Sequence, residues 1–353
     1  MASARQRERV LYFDLLRIAA AFFVVVLHTS TSQFGAVASG STEWQIFNFY
    51  DGISRWTVPM FVMLSGSLFL ARPIPVGKLY GKYILRIAIA FAVWSVLYVV
   101  EYQWYYGALY PLSRDSMILH LMRGHYHLWY LIMLIGLYVT VPLLEPIVRS
   151  ERLTKYFLVL TFVLTILLPT LKAAMQYISP AVYNAMDEIK PLFGLNFGYL
   201  FYFVLGHYLS RRSVGWLRVP IYILGVGAFW LTVALSKYLT ALVGHNDFTF
   251  FGYTYLNVML QTLFMFCLFR DVFGKLQVGG TVEQLIRTAS KCSFGVYLLH
   301  PFVLDLMDKY YQLNTLSFNT MKAMPVVAVV VFTVSYVMSY VLNKLPVIKK
   351  YLV

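Results

Sequence analysis

Apolar runs of about twenty residues recur along the whole chain, which is the length that an α-helix needs to cross a bilayer. Hydrophobic residues make up 60% of the 353 residues, whereas charged residues make up only 12%. A soluble domain carries roughly 25% charged residues. Within lipid, every backbone polar group must be satisfied internally, and a helix does this within one segment. The sequence therefore predicts an all-α polytopic membrane protein.

The positions of these runs predict about ten transmembrane helices. The predicted spans are 10–31, 54–71, 82–103, 128–148, 156–178, 193–211, 217–241, 251–270, 292–312 and 324–343. Because the segments between them are short, we expect a single membrane-embedded domain over residues 1–353. We expect no folded element after the tenth span.

Basic residues concentrate in every second connection between the predicted spans. Placing both termini in the cytoplasm puts most of the 29 Lys and Arg residues on the inner side, as the positive-inside rule requires. The net charge of +14 is therefore a signal of topology, and we expect no nucleic-acid partner.

The first predicted span carries Asp14, Arg17 and His28 in an otherwise apolar run. On insertion scales a charged residue at the bilayer centre costs about 2.5–3.5 kcal/mol. Since a helix turns about 100° per residue, Arg17 and His28 lie within about 20° of one line and about 16 Å apart along the axis. Asp14, three residues before Arg17, is placed to pair with it. A cation that can bind an anion and a potential proton acceptor thus share one helix face.

This polar stripe predicts a functional site, since ionisable residues within a membrane usually mark substrate or proton pathways. His28 is the candidate general base, because histidine titrates near neutral pH. Arg17 is the candidate anion-binding group, and Asp14 would fix its orientation. The alternative is an interfacial ion pair between Asp14 and Arg17, with His28 capping a helix contact.

Four motifs resemble the acyltransferase-3 family, integral membrane enzymes that O-acylate cell-surface sugars. The first is DLLR at 14–17, in which Arg17 is followed by ten residues and His28, the spacing typical of the family. The others are SRWTVPMFVMLSG at 54–66, HLWYL at 127–131 and SFGVYLLHPFVL at 293–304. The resemblance runs from about residue 10 to the end of the sequence. It is closest to members that acetylate surface polysaccharides.

The resemblance implies a membrane O-acetyltransferase that moves an acetyl group from cytoplasmic acetyl-CoA to a sugar hydroxyl of an extracytoplasmic glycan, lipid-linked or on the cell surface. His28, Arg17 and Asp14 would be its catalytic residues. Acetyl-CoA is then a co-substrate, and we expect no permanently bound cofactor and no metal. The enzyme would lie in the inner, cytoplasmic membrane in contact with membrane lipid. The oligomeric state stays open, with a homo-oligomer as one alternative.

Further residues are candidates for holding the two substrates. Ser65 and His300 are expected to bind the donor together with Arg17. The candidates for binding the acceptor lie at the predicted outer ends of the second and fourth spans: Arg55, Arg123, His127 and Trp129. The alternatives are a topology anchor for Arg55 and a place in the interfacial aromatic belt for Trp129.

A transporter is the alternative function from another class. A proton-coupled exporter of a glycan or a small anion would also have many spans, buried ionisable residues and helices interrupted by proline. Such a protein should show two halves with matching interrupted helices. The sequence shows no such internal repeat.

Cysteine labelling tests the predicted topology. In a background where Cys267 and Cys292 are replaced by Ala, Gly40→Cys should react with an impermeant thiol reagent applied outside intact cells. Gly77→Cys should react only after the membrane is permeabilised, because the 72–81 loop is predicted to face inward. Protection of residue 40 in intact cells would reverse the orientation and overturn the predicted side of the donor.

Overall fold

The computed structural model describes residues 11–107, 112–188 and 198–353, and these residues form helices and loops without a β-strand. The helices are α1 (Leu11–Thr31), α2 (Thr42–Gly52), α3 (Thr57–Phe69), α4 (Val76–Tyr106), α5 (Arg114–Arg123), α6 (Trp129–Arg149), α7 (Glu151–Ile178), α8 (Pro180–Glu188), α9 (Gly198–Arg211), α10 (Arg218–Val243), α11 (Leu256–Phe273), α12 (Gly280–Tyr311), α13 (Thr320–Leu342) and α14 (Pro346–Tyr351). The predicted all-α fold is confirmed.

Seven helices among the described residues are long and apolar enough to cross a membrane, namely α1, α4, α6, α7, α10, α11 and α13. A polytopic membrane protein is therefore confirmed. The predicted spans at 54–71 and 193–211 correspond to the shorter helices α3 and α9, and the second is described only from Gly198 onward. The predicted ninth span lies within α12, a 32-residue helix with charged residues near both ends. The count of ten and the side of the termini stay predictions.

Helix α1 occupies the centre of the bundle, where it packs against α2, α3, α11, α12 and α13. It is the most deeply buried of the seven candidate spans. Helix α12 runs parallel to it, since Asp14 contacts Ser290 near the start of α1 and His28 contacts His300 near its end. The polar stripe of α1 is thus covered by protein.

Two glycines bring α3 and α9 into backbone contact. A Cβ atom on Gly66 would lie 1.8 Å from the carbonyl oxygen of Phe203, and one on Gly206 would lie 2.1 Å from that of Met63. Small residues permit such close approach, which is the usual way in which helices pack tightly within a membrane. This contact holds α3, which lines the candidate site described below, against α9.

The segment after α13 folds back onto α4 as the short helix α14. The indole Nε1 of Trp94 donates to the carbonyl of Leu352 at 3.0 Å, and the guanidinium of Arg86 donates to that of Val353 at 2.6 Å. The prediction that no folded element follows the tenth span is therefore wrong. The two donors, Trp94 and Arg86, lie far from this segment in the sequence. The sequence of the segment itself therefore gives no sign of these contacts.

Replacing Gly66 or Gly206 by Ala should destabilise the protein, because each Cβ would collide with backbone that cannot move aside. Overpacking of this kind costs about 1–3 kcal/mol. Thermal unfolding in detergent should therefore show a lower midpoint for both variants. Gly227→Ala is the matched control, since it lies in helix α10 with nothing within 4 Å of its added Cβ. Equal midpoints for all three variants would contradict the close contact.

Candidate active site

Arg17 and His28 line one cavity of about 500 Å³ that follows α1 through the bundle. We call the end of the bundle where α1 begins the inner end and the opposite end the outer end, after the predicted topology. Arg17 lies near the inner end and His28 near the outer end. The structure thus brings the two residues of the predicted stripe into one continuous space, which we call the central cavity.

Arg17 forms an ion pair with Asp14 at the inner end, and Ser290 holds Asp14 in turn. Its Nη1 atom lies 3.7 Å from Oδ1 of Asp14. The hydroxyl of Ser290 on α12 donates to the same Oδ1 atom at 2.6 Å. Asp14 is 1% exposed, whereas the side chain of Arg17 is 25% exposed and lines the cavity. Asp14 therefore pairs with Arg17 on the side away from the cavity and does not itself line the cavity.

Three more basic residues line the central cavity together with Arg17: Arg86, Lys291 and Lys349. They come from α4, α12 and α14. From the sequence these three residues are only signals of topology, because their spacing along the chain gives no sign that they meet. The inner end of the cavity is consequently a cationic site, suited to an anion that carries several charges.

Aromatic side chains form much of the cavity wall between its two ends. Phe61, Phe69, Tyr130 and Tyr138 line it, together with the predicted donor residue Ser65. The rings of Phe69 and Tyr138 stack with their centroids 3.9 Å apart. This wall is mainly apolar and suits a long, narrow ligand.

His28 forms a hydrogen bond with His300 that the sequence does not predict. Nδ1 of His28 lies 2.6 Å from Nε2 of His300, and the planes of the two rings are nearly parallel, with an angle of 10° between them. His300 is 0% exposed and does not line the central cavity. The residue predicted to bind the donor therefore lies behind His28, where it can orient the imidazole ring.

The backbone of α12 determines which nitrogen of His300 carries a proton. Pro301 has no N–H, so the carbonyl of Tyr297 lacks its usual helical donor. Nδ1 of His300 lies 2.8 Å from this carbonyl oxygen and 3.2 Å from that of Val296. A carbonyl oxygen only accepts hydrogen bonds, so Nδ1 of His300 is the protonated nitrogen.

The hydrogen-bond network then assigns the tautomer of His28. A doubly protonated ring is costly at a fully buried site whose partners are carbonyls and another imidazole. Nε2 of His300 is therefore an acceptor, and it receives the hydrogen bond from Nδ1 of His28. This leaves Nε2 of His28 with a free lone pair on the ring that lines the cavity. Such a nitrogen can accept a proton from a hydroxyl group.

Two further histidines continue this cluster towards the outer end. His127 lines the central cavity at 2% exposure, and its Nδ1 atom lies 3.0 Å from Nδ1 of His125. The hydroxyl of Tyr297 donates to the backbone carbonyl of His127 at 2.6 Å. Within the described part of the chain, Nε2 of His127 has no hydrogen-bond partner. The imidazole of His127 therefore belongs to the same cavity wall as His28.

The remaining predicted acceptor residues lie in different parts of the structure. Trp129 lines the central cavity and also a second cavity of about 540 Å³, which we call the outer cavity, and Arg123 lines only the outer one. Arg55 lines neither of them. Its guanidinium forms an ion pair with Asp51 and lies 4.7 Å from the centroid of the Phe251 ring. The structure therefore places Trp129 and His127 in one cavity with His28, whereas Arg55 lines neither cavity.

In the part of the chain that the structure describes, no group of three or more His, Cys, Asp or Glu residues is placed to hold a metal ion. The four histidines of the cluster bond to one another, to backbone carbonyls and to aromatic rings.

Comparison with known proteins identifies the family. The acyltransferase-3 model, an acyltransferase domain, matches residues 10–343. No curated protein and no solved structure gives a significant match to the chain. The matched range includes α1 with its polar stripe and α12 with His300. The chain therefore belongs to the acyltransferase-3 family and is a membrane acyltransferase.

Proposed function

We propose that this acyltransferase lies in the cytoplasmic membrane and moves an acetyl group from acetyl-CoA to a hydroxyl of an extracytoplasmic glycan, lipid-linked or on the cell surface. One observation carries the proposal: a single cavity has four basic residues towards its inner end and His28 towards its outer end. An anionic donor and a neutral hydroxyl acceptor can thus meet in one space.

The inner end of the cavity is matched to the phosphates of CoA. Arginine binds phosphate through two parallel hydrogen bonds, whereas lysine acts as a point charge. Arg17, held by Asp14, would grip one phosphate group, and the neighbouring Lys291 and Lys349 would neutralise the others. The ion pair with Asp14 keeps the guanidinium pointing in one direction while leaving its side chain 25% exposed to the cavity.

The middle of the cavity is matched to the pantetheine arm of the donor. The rise of α1 separates Arg17 from His28 by about 16 Å, which suits the long flexible arm that joins the phosphates of CoA to its thioester. Tyr130 and Tyr138 would contact the arm through their rings and could donate hydrogen bonds to its amides. The thioester would then lie beside His28.

His28 would begin the transfer as a general base. Its Nε2 atom takes the proton of the sugar hydroxyl while the hydroxyl oxygen attacks the thioester carbonyl. The carbon–sulfur bond then breaks, and the departing thiolate receives the same proton from His28. The products are an acetyl ester and free CoA, so that His28 returns to its starting state. His300 would hold Nδ1 of His28 protonated throughout, which keeps Nε2 available as the acceptor.

The acceptor would enter at the outer end, past His127 and Trp129. Nε2 of His127 can bond to a sugar hydroxyl next to the reacting one, and the indole ring offers an apolar surface to the sugar. Trp129 stacks on Tyr253 at a centroid distance of 5.9 Å, which holds the indole in place.

Replacing His28 by Ala should lower acetyl transfer by roughly 10²- to 10⁴-fold, because a general base acts in the transition state. The affinity for CoA, measured by calorimetry in detergent, should stay near that of the unmodified protein. His300→Ala should also lower the rate, and adding it to His28→Ala should have no further effect, since the two residues act as a unit. Retention of more than a tenth of the rate by His28→Ala would remove it from the mechanism.

Replacing Arg17 by Lys should weaken CoA binding, because Lys keeps the charge but loses the paired hydrogen bonds. The loss of a charge-assisted hydrogen bond costs about 1.5–3 kcal/mol, or roughly tenfold to 150-fold in the dissociation constant. Arg149→Lys is the matched control, since this exposed arginine bonds to Glu145 and lies outside the cavity. Equal CoA affinity in both variants would refute the role of Arg17 as a phosphate ligand.

A further inference from the structure

The outer cavity contains polar groups that the proposed transfer does not use. It lies between α4, α5 and α12 and extends to the 124–129 segment. Its wall includes three tyrosines of α4 and two carboxylates that face a shared space: Tyr98, Tyr102, Tyr105, Glu101 and Asp305. A volume of about 540 Å³ is within the range of ordinary ligand pockets.

Several polar atoms of residues in this wall are left without a partner. Oε1 of Glu101, the hydroxyl of Tyr105 and the hydroxyl of Ser95 have no hydrogen-bond partner among the described residues. Glu101 is only 6% exposed, and a carboxyl group that is buried in this way needs hydrogen-bonding partners. Three unsatisfied polar groups at one cavity point to a ligand that supplies hydrogen-bonding partners.

The side chains of the wall favour a sugar ring as the ligand of the outer cavity. The oxygens of a carboxyl group accept hydrogen bonds, and sugar hydroxyls are donors that match them. The partly exposed ring of Tyr102 offers an apolar surface, against which the C–H face of a pyranose can pack. A phosphate-bearing headgroup would instead place its negative charge beside Glu101 and Asp305, and Arg123 is the one Lys or Arg residue of the described lining that could offset it. The combination of aromatic rings with two carboxylates therefore favours a neutral, hydroxyl-rich ligand over an anionic lipid.

Only a thin wall separates this cavity from the central one. Trp129 lines both cavities. The ring of Tyr126, in the outer cavity, lies 5.2 Å from the ring of His28, in the central cavity. His125 and His127 line opposite sides of the wall and are 3.0 Å apart through their Nδ1 atoms. The wall is one side chain thick. Two neighbouring units of a chain-like ligand could therefore occupy the two cavities at the same time.

We propose that the outer cavity binds a sugar unit of the acceptor next to the one that is acetylated, through hydrogen bonds to Glu101 and Asp305. The enzyme would thus recognise a stretch of glycan, and the bound unit would set which hydroxyl reaches His28. This inference rests on the proposed function, because it assumes a glycan acceptor. It extends that function from the reacting hydroxyl to the neighbouring part of the acceptor.

Photocrosslinking in the membranes of cells that make the acceptor tests the occupant directly. A benzophenone amino acid in place of Tyr102 in the full chain should form a sugar-containing adduct, detected by mass spectrometry. The matched control is the same probe in place of Trp104, which lies two residues further along α4, is 68% exposed and lines neither cavity. A phospholipid adduct at position 102, or the absence of any sugar adduct there, would overturn the proposal.

Kinetics provide a second test with small substitutions. Glu101→Gln and Asp305→Asn should each raise the acceptor concentration needed for half-maximal transfer by about tenfold or more, because each replaces an oxygen that can accept from the sugar by an amide NH₂ group. CoA affinity should not change, since neither residue lines the central cavity. Asp308→Asn is the control: the same change on the same helix, at a residue that bonds to Gln33 and Asn314 and does not line the outer cavity.

The two proposals fail in different ways. If the unmodified protein transfers no acetyl group from acetyl-CoA to membrane glycan, the proposed function is wrong. If it does so, but Glu101→Gln and Asp305→Asn saturate at the same acceptor concentration as Asp308→Asn, only the role of the outer cavity is wrong.

Discussion

The parallel contact between α1 and α12 is the interaction on which the candidate site depends. Helix α1 carries ionisable groups in the middle of an apolar run, and their burial is tolerated only where partners are supplied. Helix α12 supplies these partners at two positions along its length: Ser290 bonds to Asp14, and His300 bonds to His28. The same contact that makes the stripe tolerable also orients its two functional groups.

A helix defect contributes to this arrangement. Pro301 removes one backbone donor from α12, and the imidazole of His300 takes its place at the Tyr297 carbonyl. The ring is therefore held by its own helix and is not free to rotate. Since its remaining nitrogen must accept, the orientation of His28 follows from the position of one proline. The backbone donor that is missing at Pro301 thus determines which nitrogen of His28 can accept a proton at the cavity wall.

In the proposed function, the two cavities divide the recognition of donor and acceptor between different chemistries. The central cavity combines basic residues with an aromatic wall, as a long anionic donor requires. The outer cavity combines carboxylates with tyrosines and leaves polar atoms unsatisfied, as a hydroxyl-rich ligand requires. The histidine cluster lies at the thin wall between them. This position fits a group that must meet both substrates while they approach from opposite ends.

The sequence by itself determined the membrane class, the all-helical fold and the shared face of Arg17 and His28, because hydropathy and helical periodicity are local properties of the chain. It also pointed to the family through motifs that each lie within one predicted span. Only the tertiary structure decided that Arg86, Lys291 and Lys349 surround one cavity with Arg17, that His300 backs His28, and that Arg55 lies outside both cavities. These relations join helices that are far apart in the chain, and the packing of the bundle sets them. The periodicity of a single helix carries no information about which neighbour it will meet.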